Sequence, residues 1–283
     1  MKILISIGTR PEAIKMAALI KSLKKDPFFD LTVCNTGQHD ELIKPVFDLF
    51  EIDPDYSLNI MEPGVEVHSM YSAILDSFSK LLKKINPDIV FVHGDTATTF
   101  ASAMSAYLNK NRIAHVEAGL RTGDLYSPWP EEGNRKLVGS LANVHYAPTN
   151  QARENLIKEG IHTENIVVTG NTVIDSLVLA SNKLDANKQL LNEIQKKYDY
   201  LDPNKKTILV TGHRRENFGD GFKNICNAIS TISNNNKDVE FIYPVHLNPN
   251  VIEPVNRILK NHKNVFLIEP VDYIDFIYLM RLS

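Results

Sequence analysis

The sequence predicts an α/β fold with two doubly wound parallel-sheet domains. Short apolar runs rich in β-branched residues alternate along the whole chain with amphipathic stretches at helical spacing. Polar and charged side chains follow many of these runs, at the positions where strands of such sheets carry their ligands. The chain has 283 residues, of which 43% are apolar, which is enough for two packed domains.

The first domain is predicted over residues 1–170, with about six strands alternating with helices. Its predicted strands lie at residues 2–8, 31–37, 89–93, 113–117, 144–148 and 165–170. One helix is predicted to begin at Pro11, where proline suits a first helical turn. Another is predicted over residues 65–85, where apolar residues recur at helical spacing. Residues 53–64 are predicted to form a polar connection.

The second domain is predicted over residues 171–283. Its strands are expected at residues 207–211, 239–245 and 265–268, with helices between them. Residues 184–206 are polar and charged and contain a proline, so a hinge is expected near them.

Composition excludes several classes of protein. The net charge of −3, with basic residues spread along the chain, argues against a nucleic-acid partner. No apolar run approaches the roughly 18 to 20 residues that a membrane span needs, and Met1 leads straight into a core strand, so a cytoplasmic location is expected. Cys34 and Cys226 lie in apolar patterns far apart in sequence, which predicts buried, reduced thiols.

The stretch over residues 113–135 carries the densest set of charged side chains. Glu117 and Arg121 follow a short buried strand, where the chain turns. Glu131, with Glu132 beside it, opens the next helix, and Arg135 lies close behind. A solvated loop with a helix cap would also explain these residues, since acidic residues are common in first helical turns.

The same pattern recurs at other predicted strand ends. Arg10 and Lys15 follow the first strand and could neutralise a phosphate or carboxylate, although two unrelated surface cations are the alternative. Capping of a helix is the alternative for Asp95. Further polar residues at strand ends are Gln38, His39, His213, Arg214, Arg215, Glu216 and His246.

These residues indicate an interdomain cleft that binds an anionic ligand. The first strand ends in a turn with a single glycine, so a dinucleotide fingerprint is missing, and His93 with Asp95 is weak evidence for a metal. A phosphorylated sugar suits the inventory, because cations hold phosphates and carboxylates move protons or stabilise positive charge at an anomeric carbon.

Seven motifs are spread along the chain: GTRPEAIKM at 8–16, HGDT at 93–96, HVEAGLRT at 115–122, PWPEEGNR at 128–135, VTGNTVID at 168–175, TGHRREN at 211–217 and PVHLNP at 244–249. By these motifs, which lie in the family's order and cover essentially the whole chain, it resembles the non-hydrolysing UDP-N-acetylglucosamine 2-epimerases of bacteria. The resemblance implies a GT-B-like pair of Rossmann-type domains. It also implies reversible inversion at carbon 2 of UDP-N-acetylglucosamine, through elimination and re-addition of UDP, without a cofactor or metal.

Motif matching assigns roles to individual residues. Asp95, Glu117 and Glu131 are implied to perform acid/base work and charge stabilisation, with Asp95 and Glu131 as the proton carriers. His213 is implied to serve the departing diphosphate, so that these four form the catalytic set. The implied substrate-binding residues are Arg10, Lys15, Arg135 and Phe276, the last of which would reach the uracil.

The resemblance also implies regulation and assembly. Related bacterial enzymes bind a second UDP-N-acetylglucosamine as an activator, in a region matched here by Gln38, His39, Arg215 and His246, whereas Asp40 and Glu41 depart from the family pattern. A homodimer and a role in surface-polysaccharide synthesis are implied as well. The family continues past the position of Ser283 into a phosphate-binding turn and a final helix, so the second domain is expected to be truncated. The alternatives are a GT-B glycosyltransferase and an inactive nucleotide-sugar-binding remnant.

Overall fold

A computed structural model describes residues 1–38, 40–60, 66–212 and 219–283, without the side chains of residues 40 and 41. The described chain divides into two compact units, Met1–Leu179 and Ala180–Ser283. None of the helices in the described ranges combines the length and apolar character needed to cross a membrane.

The first unit contains a parallel sheet of seven strands in the order β3-β2-β1-β4-β5-β6-β7. The strands are β1 Lys2–Ile7, β2 Asp30–Asn35, β3 Tyr56–Ser57, β4 Ile89–His93, β5 Arg112–Val116, β6 Val144–Ala147 and β7 Ile166–Val168. The order reverses between β1 and β4, where the two halves of a doubly wound sheet meet. The predicted polar connection over residues 53–64 includes a short edge strand, β3, paired with β2.

Helices connect these parallel strands. They are α1 Arg10–Lys25, α2 Asp40–Phe50, α3 Val67–Ile85, α4 Ala97–Leu108, α5 Glu131–Leu141 and α6 Asn150–Lys158, followed by a short 3-10 turn at Thr163–Asn165. The small residues of α4 let it approach the sheet closely, and Ala101 and Ala103 are fully buried in a cluster that includes Leu4 and Val90 of the sheet. Gly8 depends on this approach, because a Cβ there would lie 1.9 Å from Thr98 Oγ1.

The second unit contains a parallel sheet in the order β10-β9-β8, formed by β8 Lys206–Leu209, β9 Val239–Pro244 and β10 Val265–Ile268. Its helices are α8 Lys188–Lys197, α9 Asp220–Asn235, α10 Pro249–Leu259 and α11 Tyr273–Leu282, and α7 Thr172–Ala186 spans the boundary between the units. Cys34 and Cys226 are buried free thiols, as predicted.

Much of the stretch expected near a hinge, residues 184–206, is packed structure. It includes α8, which begins beyond the Asn187 cap, and Ile194, Tyr198 and Leu201 join a buried cluster with Ile242 and Leu279. The stretch reads as polar in the sequence because this helix has one apolar face among many charged residues. That face buries against the sheet of the second unit, whereas the charged residues remain in solvent.

Candidate active site

Three of the predicted site residues lie at one edge of the seven-stranded sheet. Arg10 begins α1 directly after β1, Asp95 lies in the turn between β4 and α4, and Glu117 follows β5. β4 pairs with both β1 and β5, and His93 at the end of β4 is opposite Val116 at the end of β5. The carboxyl ends of neighbouring parallel strands therefore bring these side chains to the point where the strand order reverses.

Glu117 is held in an unusual backbone conformation and is fixed by two neighbours. Its φ of +61° lies in the left-handed region, which is uncommon for a residue with a side chain. Lys15 Nζ contacts both carboxylate oxygens, at 2.7 and 2.6 Å. Asn171 Nδ2 donates to Glu117 Oε2 at 3.0 Å. With its side chain only 11% exposed, the carboxylate has little freedom to turn away from this position.

Arg135 connects Asp95 to the loop that follows β5. Its guanidinium donates to the carboxylate of Asp95 and, at 3.3 Å, to that of Glu132. Glu132 is fully buried and accepts the backbone N–H groups of Thr122 and Gly123, each at 3.2 Å. The start of α5 thus orients Asp95 through Arg135 and anchors the loop through Glu132.

Tyr71 and Asn134 form a hydrogen-bonded pair close to the two residues that sequence matching named as proton carriers. The amide of Asn134 donates to the backbone carbonyl of Asp95 and to the Tyr71 hydroxyl, both at 2.8 Å. Burial raises the pKa of Tyr71, and the negative charges of Glu131 and Asp95 raise it further, although the hydrogen bond to Asn134 opposes the shift. Glu131 Oε2 is buried and has no hydrogen-bond partner among the described residues. Both predicted proton carriers therefore lie within electrostatic range of Tyr71.

Two buried histidines support the turn that carries Asp95. His115 Nε2 lies 2.7 Å from the carbonyl oxygen of Gly94, and His93 ends β4 beside it. Burial lowers the pKa of His115 to about 3, and it lowers that of His93 to about 3 with a further contribution from the charge of Lys15. Both rings are therefore neutral near pH 7, so His115 donates its Nε2–H to the Gly94 carbonyl.

We expect these histidines to make the protein less stable in mild acid. In the unfolded chain these two histidines bind protons below their ordinary pKa of 6.5, whereas in the folded protein their rings stay neutral down to about pH 3. The free energy of unfolding should therefore fall, as pH drops from 6.5 towards 3, by up to about 1.4 kcal/mol per pH unit for each ring. Urea denaturation at several pH values measures this slope.

The test variant for this measurement is His115→Gln, and its matched control is His68→Asn. Glutamine keeps a donor for Gly94 but does not titrate, so His115→Gln should flatten the slope. His68 is 78% exposed, and its replacement should leave the slope unchanged. An identical slope in wild type and in His115→Gln would refute this explanation.

The other predicted site residues are placed as follows. Gln38 lies in the first unit, where its Oε1 accepts the hydroxyl of Thr98 at 2.9 Å. In the second unit, His246 is exposed after β9 and Phe276 is half-buried on α11. His39, His213 and Arg215 lie outside the described residues. Among the described residues no cluster of three or more side chains could hold a metal ion.

Four polar residues that hold the site together were not among the predicted site residues, although Glu132 was noted beside Glu131. Glu132, Asn134 and Asn171 lie inside the quoted motifs, but nothing in their spacing identifies their partners. Glu12 was overlooked although the pattern Thr9-x-x-Glu12 is a capping-box signature and indicates a helix start.

Comparison with known proteins identifies the family. The family model described as UDP-N-acetylglucosamine 2-epimerase matches residues 21–283. The chain is 52% identical over 281 residues to the UDP-N-acetylglucosamine 2-epimerase of Escherichia coli K12, covering 99% of this chain and 75% of that protein. It is 54% identical to the enzyme of the same name from Salmonella typhimurium LT2, with the same coverage.

A solved structure agrees with these sequence matches. The crystal structure of UDP-GlcNAc 2-epimerase from Neisseria meningitidis bound to UDP-GlcNAc superimposes with a TM-score of 0.93 at 45% identity, covering all of this chain and 76% of that one. The predicted α/β, GT-B-like fold class is thereby confirmed. The chain spans about three quarters of the length of these relatives. On this evidence the chain belongs to the UDP-N-acetylglucosamine 2-epimerase family.

Proposed function

We propose that the protein interconverts UDP-N-acetylglucosamine and UDP-N-acetylmannosamine by inverting carbon 2. The observation that carries this proposal is that Asp95 and Glu117 lie at one sheet edge and that α5, which begins at Glu131, contacts Asp95, in a chain about half identical to enzymes of that name. The Neisseria relative, whose structure contains UDP-GlcNAc, supports the choice of ligand.

The chemistry explains why several carboxylates are needed. The carbon-2 proton is barely acidic, so elimination is the reasonable route: the proton leaves carbon 2, the bond between carbon 1 and the diphosphate oxygen breaks, and 2-acetamidoglucal and UDP form. Protonation of carbon 2 on the opposite face, with return of UDP to carbon 1, gives the epimer. One group must remove a proton from one face and another must supply a proton to the other face.

The arrangement of the site supports a division of labour. Asp95, oriented by Arg135, and Glu131, whose Oε2 accepts no hydrogen bond within the described ranges, are the two proton carriers. Glu117 is fixed by Lys15 and Asn171, which suits stabilisation of positive charge that develops at carbon 1. Among the described residues Arg10 forms no ion pair, so its cation is available to the diphosphate beside the start of α1. His213 and Phe276 are proposed, on motif match alone, to contact the diphosphate and the uracil.

Incubation with UDP-N-acetylglucosamine in deuterated water tests the proposal. We expect deuterium at carbon 2 of both nucleotide sugars, because the proton is exchanged with solvent at each inversion. Substrate carrying ¹⁸O in the bridge to carbon 1 should scramble the label into the β-phosphate, because the bond breaks and reforms. Transfer of sugar only after addition of an acceptor would instead indicate a glycosyltransferase, and binding without exchange would indicate an inactive remnant.

Regulation by a second UDP-N-acetylglucosamine molecule is also proposed. Gln38, which is anchored at the start of α4 through Thr98, would contribute to that activator site together with His39, Arg215 and His246. In the reverse direction, trace UDP-N-acetylglucosamine should then shorten the lag in product formation. A rate curve that is hyperbolic and insensitive to this addition would contradict regulation.

The cellular setting is a further part of the proposal. Two buried free thiols suit a reducing compartment, which supports a cytoplasmic location. A homodimer and a role in surface-polysaccharide synthesis rest on the family resemblance. Light scattering on the purified protein measures the oligomeric state directly.

A further inference from the structure

The carboxylate of Glu12 is buried beneath the candidate site and is heavily hydrogen-bonded. It lies in the first turn of α1 and only 1% of its surface is exposed. Its Oε2 accepts the backbone N–H of Gly8 at 2.9 Å, the N–H of Thr9 at 2.8 Å and the Thr9 hydroxyl at 3.0 Å. Such burial is tolerated only when the oxygens are satisfied in this way.

The other carboxylate oxygen makes contacts that helix capping does not require. Oε1 of Glu12 accepts the Thr96 hydroxyl at 2.6 Å and lies 3.0 Å from the Thr99 hydroxyl. These partners lie 84 and 87 residues further along the chain, at the start of α4. A capping box satisfies only the backbone N–H groups of its own helix. These two bonds instead join α1 to the start of α4.

The residues that Glu12 joins are direct neighbours of the proposed functional groups. Thr9 is the N-cap of α1 and precedes Arg10, and Thr96 is the N-cap of α4 and follows Asp95. One carboxylate therefore connects the turn that presents a cation with the turn that presents a proton carrier. Strand pairing between β1 and β4 ends at Ile5 and Phe91, so it does not extend to either turn.

We propose that Glu12 is a positioning residue for the epimerisation, which fixes the separation between the diphosphate-binding start of α1 and the carboxylate of Asp95. The inference rests on the proposed function, because it assigns Glu12 to that same site. Glu12 itself is too deeply buried to touch a substrate. Its effect is on geometry, and displacements near 1 Å are enough to reduce catalysis by about 10²-fold.

Substitutions at residue 12 test whether the length and hydrogen bonds of the side chain set the geometry. Glutamine has the same length, and its carbonyl can accept from Gly8 and Thr9 while its amide donates to the hydroxyls of Thr96 and Thr99. The Thr99 hydroxyl can then donate to the carbonyl of His93, which is already its neighbour. Aspartate is shorter by one carbon–carbon bond, about 1.5 Å, and cannot reach both turns.

The test measures kcat and KM for epimerisation in Glu12→Gln, Glu12→Asp and Glu12→Ala, with the folded fraction determined by circular dichroism. We expect Glu12→Gln to retain kcat within about threefold of wild type. Glu12→Asp and Glu12→Ala should lose about 10²-fold in kcat, with a smaller change in KM. If Glu12→Gln loses as much as Glu12→Ala, or if all three variants turn over like wild type, the proposal is wrong.

A second pair of variants, at Thr99, leaves the α1 capping box intact. It tests the proposal even if the residue-12 variants do not fold. Thr99→Val keeps the shape of the side chain but removes one of the two cross-links, and Thr99→Ser keeps the hydroxyl. We expect Thr99→Val to lower kcat about tenfold and Thr99→Ser to stay within about twofold of wild type. Equal kcat values in the two variants would overturn the proposal. An inactive wild type would instead refute the proposed function.

Discussion

Asp95→Asn and Glu131→Gln are each expected to reduce epimerisation by about 10³-fold, because general acid/base groups typically contribute 10²- to 10⁴-fold. Both replacements keep the size of the side chain and remove the ability to carry a proton. In Asp95→Asn, one oxygen can still accept from the Arg135 guanidinium, so the start of α5 should stay in place. The measurement is the rate of deuterium incorporation at carbon 2, compared with the folding of each variant.

A matched control is Asp76→Asn, which neutralises a carboxylate that is 67% exposed on α3 and paired with the exposed Lys80. It should keep wild-type turnover, because surface ion pairs contribute little. If the two carboxylates serve opposite faces of the sugar, the two single variants should also differ from each other in which nucleotide sugar incorporates deuterium at carbon 2 faster. Full turnover in either Asp95→Asn or Glu131→Gln would remove that residue from the mechanism.

The meeting of Arg10, Asp95 and Glu117 at one edge could be predicted from the sequence. Each follows a short buried strand, and carboxyl ends of neighbouring parallel strands must lie side by side. This prediction does not require the full strand order, because β1, β4 and β5 are adjacent in the usual doubly wound arrangement. Strand periodicity and the crossover rules therefore account for the placement of these three residues.

The pairing of side chains within the site could not be predicted in the same way. Nothing in the sequence indicated that the ammonium of Lys15 contacts Glu117, 102 residues away along the chain. Which rotamer a long side chain adopts depends on the local electrostatic field, and that field is created by the folded chain. The cross-link from Glu12 to Thr96 was missed for the same reason, although the capping box that includes Glu12 has a local signature.

Gly119→Ala should be the most destabilising single substitution in the loop that carries Glu117. Gly119 has a φ of +90°, and a Cβ there would lie 2.2 Å from the backbone carbonyl oxygen of Ala152. A backbone atom of α6 cannot move aside as a flexible side chain can, and Ala152 and Leu156 belong to a fully buried cluster. We expect a loss of about 2–5 kcal/mol in the free energy of unfolding, from left-handed strain of roughly 1–2 kcal/mol and overpacking of about 1–3 kcal/mol.

Gly160→Ala provides the matched control for this substitution. Gly160 has a nearly identical φ of +88°, but nothing lies within 4 Å of its Cβ position. It should therefore lose only the strain of roughly 1–2 kcal/mol. The difference between the two urea midpoints, at equal slope, isolates the clash with Ala152. Because Gly119 follows Glu117 by two residues, Gly119→Ala should also lower turnover in the fraction that remains folded, and Gly160→Ala should not. Equal midpoints for the two variants would show that α6 yields to the added methyl group, and that the loop is less tightly fixed than the packing of Ala152 indicates.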